Sequence, residues 1–285
     1  MRWLQFFTPV GSMDFKEAKA YISKHSAEDI TILDVRQPSE YETRHIPGAV
    51  LVPLPQLSDQ MGELDPEKPA IVYCAVGGRS RVAVQMLAGN GFKKVFNLSG
   101  GIKAWDSEIA VGPQDLGLDL FSGKEAPEEV LKVAYSLEQG LRDFYLAMGE
   151  KASSERVKDL FARLADIEVK HQMSLYLAFN KIHGTNVDKD AFEKMVEKKS
   201  LEGGLSTEEY LQLFNPDLNS EIDVVSLAMS IEAQALDLYL RVSERISHPE
   251  SKQIVLKIAG EEKTHLESLG RLMDNFQVQD EEMMK

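Results

Sequence analysis

Hydrophobic and polar positions change rhythm about a third of the way along the chain. Up to about Trp105, the short apolar runs ITILDV, AVLVPL, PAIVYCAV and KVFNLSG read as buried strands. Between them, FKEAKAYISKH, LPQLSDQM and SRVAVQMLAGNG read as helices. This alternation predicts an α/β unit, a small parallel sheet covered by helices. Ile109 to Pro127 holds three glycines and two prolines without sustained period and reads as a linker. Beyond it, four segments at roughly 127–151, 154–182, 221–246 and 250–276 carry the 3.6-residue period, which predicts a four-helix bundle. The piece at 183–220 is too long for a tight turn and holds two shorter helical stretches, DKDAFEKMVEKK and STEEYLQLF, so it reads as a crossover connection. The expected organisation is an α/β domain over 1–110, a linker over 111–126 and an all-α bundle over 127–280.

The helical half repeats itself. A shift of 94 residues places Ala134, Ser136, Leu137, Glu138, Asp143, Tyr145 and Leu146 on Ala228, Ser230, Ile231, Glu232, Asp237, Tyr239 and Leu240. The same shift places Ala165, Glu168, His171, Ser174 and Leu175 on Ala259, Glu262, His265, Ser268 and Leu269. One shift serving both helix pairs indicates a duplicated hairpin, and it preserves polar residues that a repeated apolar stripe would not.

Helical geometry says where the repeated polar residues meet. Glu168 and His171, like Glu262 and His265, are three apart and project from one helix face. Glu138 and Glu168 are each 15 residues from Ser153 in the expected turn, and Glu232 and Glu262 are each 15 from Ser247. Equal distances from the turn of an antiparallel hairpin mean equal heights. Four glutamates and two histidines thus converge at one level, where buried carboxylates repel one another unless cations lie between them. Tyr145 and Tyr239 lie two turns beyond Glu138 and Glu232 on the same faces. Core packing is the first reading for both, and hydrogen-bond donors or redox-active phenols beside the site are the alternative. Asp143 and Asp237 point away from the glutamate face and receive no site role.

Composition narrows the function classes. The chain has 285 residues, 43% hydrophobic and 27% charged, which is globular composition and long enough for two cores. Its single cysteine, Cys74, excludes an intrachain disulfide and Cys-rich zinc or iron sites and fits a reducing compartment. No apolar run approaches a membrane span, and the opening MRWLQFFTPV lacks a cleavable-leader pattern, so a cytoplasmic location is expected. The net charge is −14, of which about −1 belongs to residues 1–110. Neither half offers the basic face that binding nucleic acid requires.

A lone Glu on each of two helices and Glu-x-x-His on each of the others resembles the ferritin-like di-iron carboxylate family, and rubrerythrins in particular, over about 126–280. The resemblance implies two iron ions. Glu138 and Glu232 would each be terminal to one ion, Glu168 and Glu262 would bridge, and His171 and His265 would each cap one. Hard oxygen donors with one imidazole per ion suit iron or manganese. Two departures stand out. Rubrerythrin-type sites use a further glutamate three residues from the third-helix ligand, where this chain has Met229 and Ala235. The four-cysteine rubredoxin domain common in rubrerythrins has no counterpart here, so electrons must come from an external donor.

Cys74 follows the apolar run AIVY and leads through AVGGRS into a helix. There, backbone amides and the helix dipole stabilise an anion. From strand position alone, an inert buried cysteine is the alternative. The segments LDVRQPSEYETRHIPGAVLVPL, YCAVGGRS and NLSGGIKAW resemble the rhodanese family in order and across almost the whole first domain. The resemblance implies a sulfurtransferase in which Cys74 takes sulfur from a small-molecule donor, carries it as a persulfide and passes it to a thiol acceptor. Ala75, Val76, Gly77, Gly78 and Arg79 would form the cradling loop, and Arg79 would help bind or neutralise an anionic donor. The loop from Cys74 to Arg79 has the six residues of rhodaneses. Related dual-specificity phosphatases have one more, which makes phosphate-ester hydrolysis the weaker alternative. Asp34, Arg36 and His45 match the structural signature, while Arg44 stands where glycine is usual.

Together the resemblances imply a rubrerythrin-like di-iron oxidoreductase, reducing peroxide, fused to a sulfurtransferase. The alternatives are an iron-binding or storage protein with a sulfur-carrier module, an oxidase using O2, and a dimanganese catalase. Ferritin-like subunits commonly pair through their helices, so a homodimer through the bundle is expected by analogy.

Overall fold

The computed structural model describes residues 11–105, 107–184, 186–196 and 202–283, with residues 202 and 277–283 described by backbone alone. The opening decapeptide read for targeting signals and residues 197–199 of the expected DKDAFEKMVEKK helix lie outside the described residues. The chain divides into two compact units, with the boundary between Gln114 and Asp115.

The first unit is a parallel sheet of β1 (Gly11–Met13), β2 (Thr31–Asp34), β3 (Val50–Leu51), β4 (Ala70–Tyr73) and β5 (Val95–Leu98), in the order β1-β5-β4-β2-β3. Its helices are α1 (Phe15–Ser23), α2 (Pro38–Thr43), α3 (Leu57–Gln60) and α4 (Gly78–Gly89). The hydrophobic pattern misses two elements. The edge strand β1 is the tripeptide GSM, with no apolar run, and is held by pairing to β5. The short helix α2 starts at Pro38, and Glu40 accepts from the Gln37 amide at its N-terminus. The expected strand AVLVPL contracts to Val50–Leu51, because Pro53 lacks the N–H that a continuing ladder needs.

Residues of β4 alternate between two cores, as a strand buried on both faces must. Ile71 and Tyr73 pack with Ile32, Leu98 and Ala18 of α1. On the other face, Ala70, Val72 and Cys74 pack with Leu33 and with Ala83, Val84 and Leu87 of α4.

The second unit is the expected four-helix bundle. It comprises α5 (Pro127–Lys151) and α6 (Glu155–His183), then the crossover helices α7 (Lys189–Met195) and α8 (Thr207–Phe214), then α9 (Glu221–Arg245) and α10 (Pro249–Met283). Residues 115–126, part of the expected linker, instead pack in this unit. Leu118 and Phe121 are buried in the bundle core, the Leu116 carbonyl accepts from Arg241 (2.8 Å), and the Glu125 carbonyl accepts from the Ser251 hydroxyl (2.7 Å). Two apolar anchors in an aperiodic Gly-rich stretch leave no periodic signal, which is why the sequence reads as linker. The repeat also diverges. Asp143 is exposed, whereas its counterpart Asp237 is buried and accepts from Arg241 Nε at 2.7 Å. No helix among the described residues is long and apolar enough to cross a membrane.

Candidate functional site

Cys74 stands one residue past β4 and is 1% exposed. The loop after it turns through Gly77 at φ +92° into the N-terminus of α4. A second loop clamps it from behind: the Ile102 amide donates to the Cys74 carbonyl (2.9 Å) and the Lys103 amide to the Ala75 carbonyl (3.1 Å). With those carbonyls engaged, the loop's N–H groups are left to face the sulfur. Gly101 permits this approach, since a Cβ there would lie 2.2 Å from the Cys74 carbonyl oxygen. The motif NLSGGIKAW therefore acts as the back wall of the cysteine loop.

The Gly77 amide donates to Cys74 Sγ at 3.2 Å. Burial by itself pushes the Cys74 thiol up, but hydrogen bonds from the Ser80 hydroxyl and the Ser80, Val76 and Gly77 amides outweigh it and hold the thiol below its ordinary value. The Ser80 hydroxyl has one proton, and it lies 2.7 Å from Asn97 Oδ1 but 3.5 Å from Sγ, so Asn97 is its resident acceptor. Arg79, at the far end of the loop, donates from Nη1 and Nη2 to the two carboxylate oxygens of Glu40, each at 2.7 Å. Burial and hydrogen bonding to Arg79 act in opposite senses on Glu40. The Arg79 bond is the larger, and with the Gln37 amide it pulls the carboxyl down to about 2. Ser80, Asn97 and Glu40 were not singled out by sequence reasoning. Ser80 adjoins the loop and Glu40 closes an N-terminal turn, but their partners lie 17 and 39 residues away along the chain, beyond any local period.

Asp34, Arg36 and His45 serve the scaffold. The Arg36 guanidinium pairs with Asp34 (2.6 Å) and donates to the Arg44 carbonyl (2.7 Å), and the His45 ring stacks on Tyr41 with centroids 3.7 Å apart.

In the bundle, the duplicated hairpins each assemble one triad. Glu138, Glu168 and His171 offer ligand atoms within 4.8 Å of one another, and so do Glu232, Glu262 and His265. His171 Nδ1 lies 2.8 Å from Glu168 Oε2 and 3.4 Å from Glu138 Oε2. His265 Nδ1 lies 3.2 Å from Glu262 Oε2 and 3.5 Å from Glu232 Oε2. The two imidazoles stack, with centroids 3.9 Å apart and planes 6° apart, which sets the triads side by side. All four glutamates are buried, none more than 3% exposed.

The electrostatics couple the two hairpins. Burial pushes the Glu232 carboxyl up, but hydrogen bonding with His265 and Glu262 and the charges of His265 and His171 hold it below its ordinary value. Burial likewise depresses His265, and Glu232 with Glu168 of the other hairpin raises it. Four buried carboxylates against two imidazoles leave a deficit of positive charge that metal cations would fill, and oxygen-rich donors with one nitrogen per triad fit iron or manganese. Ala235 is buried without a donor atom, and Met229 offers only a thioether, so neither supplies the additional carboxylate of rubrerythrin-type sites. Gln172, buried one turn beyond Glu168, falls on Leu266 under the repeat, so the surroundings of the triads are not equivalent. Tyr145 packs with Phe144 and Phe161, and Tyr239 with Phe121; both phenols are fully buried.

Residues 15–108 match the rhodanese-like domain family, and residues 129–213 match the rubrerythrin family. The second match ends before α9, so the Glu232, Glu262 and His265 triad stands on the internal repeat and its geometry. The chain is similar to the protein YqhL of Bacillus subtilis, 42% identical over 78 residues, which is 27% of this chain and 62% of that protein. It is similar to the thiosulfate sulfurtransferase GlpE of Coxiella burnetii, 40% identical over 27% of this chain and 72% of that enzyme. A solved rhodanese-like domain protein of Staphylococcus aureus is 28% identical, over 36% of this chain and 98% of that one, with a TM-score of 0.33. The two family matches and the likeness to the Coxiella burnetii sulfurtransferase show that the chain belongs to the rhodanese family through its first unit and joins to it a rubrerythrin-family domain.

Proposed function

We propose that the protein is a rubrerythrin-like oxidoreductase that reduces peroxide at a di-iron site, fused to a sulfurtransferase that carries sulfur on Cys74. The observation that carries the first part is the pair of Glu, Glu, His triads, with buried carboxylates and half-buried imidazoles, brought side by side by the stacked His171 and His265 rings. Glu138, Glu168 and His171 would hold one ion, and Glu232, Glu262 and His265 the other, with Glu168 and Glu262 the bridging carboxylates. A bound iron pair supplies two electrons, which with two protons convert one hydrogen peroxide to two waters. The chain's own part is to keep six donors converged, to balance the carboxylate charge and to exclude bulk water around them. Electrons come from an external donor, since the single cysteine leaves no rubredoxin-type centre in this sequence.

In the first unit the Cys74 thiolate attacks the outer sulfur of a donor, the new Sγ–S bond forms as the donor's bond to that sulfur breaks, and the leaving group departs with the electron pair. The loop amides from Ala75 to Arg79 receive the resulting anion. A thiol acceptor then takes the sulfur and restores Cys74. An unpaired cysteine of this kind suits a reducing, cytoplasmic setting. The exposed apolar residues Val169, Met173 and Leu177, at helical spacing on α6, support pairing of two bundles.

Anaerobic titration with Fe(II), followed by rapid mixing with peroxide or O2, tests the bundle. Two irons per chain, oxidised much faster by peroxide, support the peroxidase. Preference for O2 favours an oxidase or iron handling, and uptake without turnover favours storage.

A further inference from the structure

Beside the triads, Gln172 is only 5% exposed, and its amide nitrogen Nε2 has no hydrogen-bond partner among the described residues. A buried donor with nothing to meet costs stability, and a packing role needs no amide, since the repeat fills the same position with Leu266, itself 2% exposed. Gln172 follows Glu168 by four residues and so lies on the same face of α6. Helical side chains lean toward the N-terminus of their helix, which carries this amide from its own turn back toward the level of the carboxylates. The core cluster of Leu131, Leu175, Ala235 and Ile258 draws on the N-terminal halves of α5 and α10 and the C-terminal halves of α6 and α9, so it fills one end of the bundle. Gln172 stands between Glu168 and Leu175 and faces the triads from that end. Ala235, between Glu232 and Leu238, faces them from the same end and offers only a methyl group.

From this orphaned amide we infer that Gln172 binds the exogenous ligand of the metal pair, donating a hydrogen bond to a small anion such as hydroperoxide at the end of the site it shares with Ala235. The inference rests on the di-iron reading and deepens it, naming the side on which the small ligand sits and the donor that holds it. Four carboxylates leave two ferric ions with net positive charge, which favours an anion as the additional ligand. A neutral amide adds a directional donor without offsetting that charge, and a hydrogen bond to an anion is stronger than one to a neutral acceptor. With Leu266 at the repeated position, the opposite end has no such donor, so the duplicated hairpins present one polar and one apolar approach to the metals.

The test is azide binding by the full chain, loaded with two irons and oxidised, followed by the near-ultraviolet and visible absorbance that the anion brings on. Gln172→Met keeps the length of the side chain and removes the donor, and it should weaken azide roughly tenfold or more. Gln172→Glu puts a carboxylate in place of the donor and should weaken azide further, by repulsion. Leu266→Met, at the counterpart position, should change the affinity less than about twofold. Unchanged azide affinity in Gln172→Met with two irons bound, tighter binding in Gln172→Glu, or an equal loss in Leu266→Met overturns the inference.

A second measurement needs no metal. In the metal-free chain the amide is buried without a partner, so Gln172→Met should raise the unfolding midpoint of the bundle by a few degrees, and saturation with iron and azide should erase that gain. A lower metal-free midpoint in Gln172→Met would show that the amide is bonded within the protein and overturn the inference. Failure of the wild-type chain to bind two irons would overturn the di-iron reading and this inference with it, whereas two irons without azide binding would overturn the inference alone.

Discussion

The two candidate sites are built from different parts of the polypeptide. Around Cys74 the working groups are backbone amides, arranged by glycines and by a second loop that occupies the carbonyls behind them. In the bundle the working groups are side chains, six of them, carried to one level by regular helices whose own amides are consumed in helical hydrogen bonds. A backbone site is sensitive to where a Cβ can fit, and a side-chain site to which functional group stands at each register position.

The largest effects expected from this contrast are separable losses. Cys74→Ser should abolish sulfur loading and leave two metals per chain, while Glu168→Ala should abolish stoichiometric metal uptake and leave loading intact. Mass spectrometry and metal analysis of both variants check this, and any cross-effect would break the comparison.

Metal removal comes next. Four buried carboxylates lose their counter-charges, so saturating metal should stabilise the second unit by about 4 kcal/mol at a thousandfold excess over Kd. Calorimetry with and without a chelator should show the shift in the bundle transition and not in the α/β one.

Substitution at the glycines sharpens the backbone side. Gly101→Ala sets a Cβ 2.2 Å from the Cys74 carbonyl oxygen at φ +59°, and should destabilise the first unit by about 1–3 kcal/mol or more while slowing Cys74 alkylation. Gly78→Ala meets no atom within 4 Å and should stay within about 1 kcal/mol of wild type in urea unfolding.

Smaller effects test the hydroxyl and the ion pair. Ser80→Ala removes one donor near Sγ, already shared with Asn97, so the pH midpoint of iodoacetamide alkylation should move up, with a rate loss of roughly a few-fold at neutral pH. The Glu40 carboxyl is lowered from 4.5 to about 2 in the folded chain. Its contribution to stability is therefore fully present above pH 4.5 and is lost as pH falls toward 2. Both partners are about one-third exposed, at 36% and 34%, so screening keeps this slope shallow. Unfolding midpoints across that range should show it in wild type and not in Glu40→Gln.

Much of this was legible before any coordinates. The bundle helices lie close to their periodic segments, because a long amphipathic helix writes its buried face at every turn. The six metal-ligand candidates emerged because the duplication preserved polar residues at equal heights. Elements held by pairing instead of by their own apolar content escaped: β1 is three residues without a hydrophobic run, and Leu118 and Phe121 sit in a stretch with no period. Asp237 and Asp143 occupy equivalent positions of the repeat, yet only Asp237 is buried against Arg241, because residues 115–121 pack onto α9 and have no equivalent in the first hairpin.

The sequence by itself determined the α/β and all-α division, the cysteine loop and the Glu and Glu-x-x-His registers, since each is written in local spacing. Tertiary structure alone decided that Glu40 meets Arg79, that the Ser80 hydroxyl beside Cys74 meets Asn97, and that His171 stacks on His265. These partners come from separate elements, and a period along one element carries no information about which face of another it will touch.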